Sequence, residues 1–208
     1  MVGQLCLYTI TFDQLYVIMR HCSRFFFILL ALVALVNWMP VQAQEIKWLT
    51  WEEAQAKNAK EPRKFIVDVY TQWCGWCKKM DKATWEQPEI SKYINANYYP
   101  VKFDAETKED INFNDRVFKY VRNGTSGYNE LAVEITFGKL SYPTIVFLDE
   151  NLDVIQPIPG YKDPASLDKI MKYFAENYYK SIPWKKYEEM YFEKGGILGD
   201  DLPKPDKE

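Results

Sequence analysis

Between Thr50 and Tyr179 the apolar positions change rhythm several times, and each change marks an element. "TWEEAQAKNAKEP" opens on Thr50, with Glu53 three residues on in the spacing of a capping box, so a helix is predicted until Pro62 closes it. "KFIVDVYT" is β-branched and aromatic throughout, which suits a buried strand. From Cys74 the recurrence shifts to three and four residues, through Cys77, Met80, Asp81 and Thr84, and predicts a helix that Gln87-Pro88 interrupts. "EISKYINANY" continues as helix, and "YPVKFDAE" returns to strand. "EDINFNDRVFKYVRNG" reads as partly helical up to the turn signal Asn123-Gly124. "YNELAVEITF" fits either class, and the helical spacing of Leu131 and Ile135 favours a helix.

"PTIVFLDENLDVIQPIPGY" predicts a hairpin, with a strand at Thr144–Leu148, a turn at Asp149–Asn151 and a second strand from about Asp153. "DPASLDKIMKYFAENYY" is an amphipathic helix with Asp163 near its cap and Pro164 in its first turn, and a short helix is expected after Pro183. Parallel strands joined by helical crossovers and finished by an antiparallel hairpin imply an α/β fold. Its mixed central sheet should carry helices on both faces.

Residues 1–43 do not belong to that pattern. Arg20, His21 and Arg24 precede an apolar run from Phe25 to Val36, Asn37 to Pro40 breaks it, and "VQA" leads into Gln44. A basic region, an apolar stretch of about a dozen residues and a small-residue site describe a secretory signal peptide. The run is shorter than the roughly 20 residues of a membrane-spanning helix. Met19 is therefore expected to be the true start, with cleavage near Ala43 and a periplasmic or secreted product. The alternative is an uncleaved membrane anchor, lengthened by Trp38 to Val41. Cys22 precedes the apolar run, which does not suit a lipoprotein site. A domain over 44–180 should follow, then a helical extension and polar tail over 181–208.

Setting 1–43 aside removes Cys6, Cys22 and His21, the chain's single histidine. Without imidazole, Ser–His and Cys–His nucleophilic systems are excluded and the usual zinc enzymes are disfavoured. The net charge of −3, with dispersed basic residues, argues against a nucleic-acid partner.

What chemistry remains sits in "FIVDVYTQWCGWC", and three readings of Cys74 and Cys77 compete. A structural zinc site needs four ligands, and no second pair exists in the mature chain. A structural disulfide is permitted by secretion, but a two-residue loop removes little entropy from the unfolded chain. A redox-active dithiol fits the local physics best. At a helix N-terminus, unpaired N–H groups and the helix dipole would stabilise a Cys74 thiolate, and Cys77 would lie one turn on. Gly75 would let another backbone approach the sulfur, and Trp73 and Trp76 would flank it with flat apolar surface.

"W-C-G-x-C" directly after an apolar strand resembles the active site of the thioredoxin superfamily. Asp68, six residues before Cys74, matches the family's buried aspartate. Lys102 in "VKFD" matches the lysine of the next strand, and Pro143 in "SYPTIVFLD" matches the cis-proline that faces the disulfide. The likeness covers roughly Trp48 to Tyr178 and looks closest to secreted bacterial thioredoxin-like proteins with an enlarged middle, here 107–140. It implies a thioredoxin-like fold and a Cys74–Cys77 disulfide. It also implies that Asp68 relays a proton for Cys77, that Lys102 modulates Asp68, and that the backbone of Tyr142 pairs with an extended substrate. No organic cofactor or metal is implied, since the cysteines carry the electrons.

Two departures stand out: Trp76 occupies a place where relatives have proline or histidine, and Lys82 stands where thioredoxin has a kinking proline. The expected function is thiol–disulfide exchange with protein substrates outside the cytoplasm. Reduction is the favoured direction, with an upstream dithiol donor at the membrane and a monomeric protein. The rival is a docking module whose disulfide is inert, using 107–140 and the aromatic segment "YFAENYYKSIPWKKYEEMYF".

Overall fold

A computed structural model describes residues 45–193; the expected signal segment 1–43 and the tail 194–208 lie outside the described residues. The first helix, α1 (Trp51–Asn58), begins where the capping box was read. Glu53 N–H donates to Thr50 Oγ1, and Thr50 N–H donates to the Glu53 carboxylate. Then follow β1 (Phe65–Tyr70), α2 (Gly75–Met80) continued by a π-helical turn (Asp81–Trp85), α3 (Pro88–Asn97) and β2 (Tyr99–Asp104). After a set of short strands come α4 (Glu130–Ile135), β7 (Thr144–Leu148), β8 (Val154–Pro159), α5 (Pro164–Ala175) and α6 (Trp184–Glu193).

The central sheet has the order β2-β1-β7-β8, parallel between β1 and β2 and antiparallel elsewhere. Helices cover both faces, which is why β1 is apolar almost without alternation. Ile66, Ile145 and Phe147 meet Met80, Trp85, Ile94, Met171 and Tyr187 on one face. On the other, Val67, Val101 and Val146 meet Trp51, Leu131, Ile135 and Phe118. The mixed sheet with helices on both faces is as expected.

The segment from 107 to 129 is not helical. It forms two small hairpins, β3 (Ile111–Phe113) with β4 (Arg116–Phe118), and β5 (Tyr120–Asn123) with β6 (Ser126–Asn129). Period-two burial, Ile111 and Phe113 inside with Asn112 outside, was the signal that the helical reading overlooked. Asn114 and Asp115 both take positive φ (50° and 58°), the conformation a two-residue hairpin turn demands. Most of "YNELAVEITF" is helical as expected, from Glu130 to Ile135, while Tyr128 and Asn129 close β6. The Asn123-Gly124 turn is where expected, with Gly124 at φ +61°.

Candidate active site

Cys74 leaves the end of β1 in an extended conformation and caps α2. Its sulfur is bonded to that of Cys77, with Cα atoms 5.3 Å apart, and accepts the Cys77 N–H at 3.1 Å. An unpaired amide at the helix start thus points at this sulfur, as the dipole argument requires. Both cysteines are largely covered, Cys74 at 5% exposure and Cys77 at 3%. The tryptophans on either side are open, Trp73 at 67% and Trp76 at 57%. Gly75 is exposed, has ordinary φ, and a methyl group there would meet nothing within 4 Å. The fold itself does not need this glycine.

Asp68 lies inside β1 at 1% exposure. One carboxylate oxygen receives Lys102 Nζ at 3.1 Å; the other, Oδ1, has no hydrogen-bond partner among the described residues. Burial raises its pKa to about 6, against the pull of Lys102 toward the charged form. The indole of Trp85 also favours the charged form, yet its N–H makes no aligned hydrogen bond and is left unsatisfied too.

Lys102, paired with Asp68 across the parallel strands, also bonds the Asp81 carboxylate and lies over the rings of Trp48 and Tyr70. Burial pulls its pKa down, but Asp68 and Asp81 outweigh that and hold it above its ordinary value. Asp81 was not among the sequence candidates. Its place four residues after Cys77, on the same helical face, was the available signal.

A π-helical turn at Asp81–Trp85 interrupts the regular α ladder at the lysine at 82, where the family has its proline. Thr84 Oγ1 there donates to the Lys162 carbonyl at 2.7 Å.

The Tyr142–Pro143 bond is cis, and the Pro143 carbonyl accepts the N–H of Gly160. Two aromatic contacts join this loop region to the cysteine turn. Trp73 meets Tyr142 edge-on, with centroids 5.9 Å apart, and Trp76 leans on Tyr161 at 5.7 Å. Trp73 Nε1 donates to both oxygens of Glu106 at 3.1 Å, while Lys79 Nζ sits over both Trp76 and Tyr161. Burial, then the charges of Glu106 and Asp104, push the Tyr142 hydroxyl up to about 12. Glu106, Lys79 and Tyr161 escaped the sequence reading because neither spacing nor motif links them to the cysteines.

Among curated proteins, the chain is 29% identical over 116 residues to an uncharacterised protein of Caenorhabditis elegans, covering 55% of this chain and 14% of that one. It is 28% identical over 116 residues to human spermatogenesis-associated protein 20, covering 55% and 13%. The chain thus spans about a seventh of the length of these relatives. Among solved structures, it resembles a DsbH oxidoreductase (TM-score 0.47, 14% identity, 64% of this chain and 86% of that one). It also resembles a thioredoxin-fold protein from Helicobacter pylori (TM-score 0.48, 16% identity, 62% and 79%). The sequence model of the thioredoxin-like domain family matches residues 51–175, from α1 to the end of α5. With the cysteine turn and the cis-proline inside that span, the chain belongs to the thioredoxin-like domain family.

Proposed function

We propose that this protein is a thiol–disulfide oxidoreductase that reduces disulfides of protein substrates outside the cytoplasm. The observation that carries the reading is the Cys74 sulfur, set at the cap of α2 with a backbone N–H aimed at it, in a chain whose preceding strand buries the Asp68 carboxyl. In the reduced protein the same N–H would stabilise a Cys74 thiolate. That thiolate attacks one sulfur of a substrate disulfide, forming a mixed disulfide and releasing the other sulfur as a thiolate. Cys77 gives its proton, through water, to the Asp68 carboxylate and attacks Cys74. The second substrate thiolate departs and the Cys74–Cys77 disulfide re-forms, two electrons having passed to the substrate. An upstream dithiol donor at the membrane restores the pair.

Tyr142 and Pro143 offer backbone to an extended substrate, and Gly75 leaves room for it. Neither Gly75 nor Trp76 places a cation between the cysteines, which favours a reducing rather than a strongly oxidising pair. Export rests on the sequence of residues 1–43; among the described residues no helix is long and apolar enough to cross a membrane.

The near-complete burial of both cysteines favours a second reading, a docking module with an inert disulfide. Insulin reduction separates the two. The oxidoreductase turns over insulin with dithiol supply, loses this in Cys74→Ser, and accumulates mixed disulfides with its substrates in Cys77→Ser. A wild-type pair that stays oxidised in excess dithiol, in folded protein, supports the docking module instead.

A further inference from the structure

Charge around the disulfide is segregated by the sheet. All four central strands present one end to the cysteine turn: the C-terminal ends of β2, β1 and β8, and the N-terminal start of β7. Cys74 follows β1 and Pro143 precedes β7, so the disulfide and the cis-proline belong to the two inner strands. Asp104 and Glu106 come from the end of β2, one edge of the sheet. Tyr161 and Lys162 come from the end of β8, the other edge.

The acidic edge holds its charges close to the rim. Glu106 is fixed by Trp73 Nε1, and Asp104 accepts the Glu106 N–H at 3.0 Å and Gln72 Nε2 at 3.2 Å. Neither carboxylate forms an ion pair among the described residues. On the other edge Lys79 rests on Trp76 and Tyr161, and Lys162 Nζ donates to the Pro159 and Gly160 carbonyls. Lys78, exposed beside Lys79, and these two lysines likewise form no ion pair among the described residues, although the neighbouring Asp163 acts electrostatically on Lys162. The internal charges of the site behave differently: Lys102 is shared by Asp68 and Asp81. Charges of opposite sign without an ion pair thus flank the disulfide, Glu106 held by the exposed Trp73 and Lys79 resting on the exposed Trp76.

We infer that the site selects extended polypeptide segments of dipolar charge, with a basic residue on one side of the target cysteine and an acidic residue on the other. The basic residue meets Glu106 and Asp104, and the acidic one meets Lys79 and Lys162. Crossing from β2 to β8 spans about 14 Å, the reach of four or five extended residues, so the charges belong two or three positions from the cysteine. Complementary charges at a contact rim act mainly on encounter and on rejection of wrong partners. Segments that are acidic throughout, or basic throughout, meet repulsion at one edge whichever way they lie.

This inference rests on the substrate-exchange reading, but its test does not depend on turnover. Two peptides of identical composition are compared, each with serine in place of the target cysteine, one ordered Lys-Lys-Gly-Ser-Gly-Glu-Glu and the other reversed. Binding to the oxidised protein is read from tryptophan fluorescence. One order should bind roughly three- to tenfold more tightly at low ionic strength, and the gap should shrink in high salt. In Glu106→Lys/Lys79→Glu, where the remaining Asp104 and Lys162 offset the exchanged charges, the preference should vanish. In Glu106→Gln/Lys79→Gln, which keeps an acceptor for Trp73 and leaves Asp104 and Lys162 in place, it should weaken. Equal binding of both orders, no binding of either, or a preference untouched by these variants overturns the inference. Insulin reduction by the wild type is scored separately, so loss of selectivity and loss of redox function are told apart.

Discussion

At the scale of the residue, Asp68 shows how burial and charge compete. Its carboxyl is surrounded by strand and helix, with Lys102 as its ion-pair partner and Asp81 drawing on the same ammonium. Desolvation wins, and the folded midpoint rises to about 6 from the ordinary 3.8. Between those values the folded protein holds a proton that the unfolded chain has lost. The group therefore favours folding fully below pH 3.8, and that contribution is lost as pH rises through 6. The loss is about 3 kcal/mol by neutral pH. Asp68→Asn should make the oxidised protein more stable than wild type at neutral pH, with the difference closing near pH 4, about the unfolded midpoint. Urea denaturation across pH tests this; parallel pH profiles for the two proteins would refute it. The same variant should slow resolution of the mixed disulfide, since it cannot take the Cys77 proton.

At the scale of the element, α4 ends with its charge of strain in the open. Phe137 adopts φ +53°, its N–H donates to the Glu134 carbonyl, and Gly138 N–H donates to Val133 O at 2.8 Å. These are the two bonds of a Schellman motif, with phenylalanine where glycine is usual. The left-handed conformation costs a side-chain-bearing residue roughly 1–2 kcal/mol, and the ring, 60% exposed, recovers little of it. Phe137→Gly should raise stability by roughly 0.5–1 kcal/mol, after the larger unfolded-state entropy of glycine is counted. A lower melting temperature would show that the ring contributes packing beyond its visible contacts. The neighbouring hairpin has the opposite logic. At Gly127 a Cβ would lie 2.6 Å from the Val121 carbonyl and closer still to the Tyr120 ring, so only glycine fits that register.

At the scale of the whole molecule, the family match stops at residue 175 while the core does not. Beyond it α6 buries Tyr187 completely and Tyr191 nearly so against α5. The Tyr191 hydroxyl reaches Asp168 at 2.5 Å, and Lys169 bonds Glu188. Tyr173 collects Phe174, Trp184 and Tyr187 around it. Ending the chain after Lys180 should therefore cost at least about 3 kcal/mol, since the burial of two large side chains against α5 is lost. Equilibrium unfolding measures it, and a truncated chain as stable as the full one would show α6 to be a mere appendage. The cysteine turn lies on a different helix, so the disulfide itself should still form in whatever fraction folds.

Local chemistry made much of this legible beforehand. Thr50 with Glu53, Asp163 with Pro164, and the apolar run before Cys74 carry their instructions within a few residues, because caps and buried strands are short-range events. The same holds for the fold class, which follows from the order of those elements. The hairpins between 107 and 129 were misread because three- and four-residue strands offer too few repeats to separate period two from a helix. Glu106, Lys79 and Tyr161 were invisible for another reason. Their roles arise only when the ends of β2 and β8 and the first turns of α2 are brought to one rim, and a chain's linear pattern holds no record of which charges will face one another across a sheet.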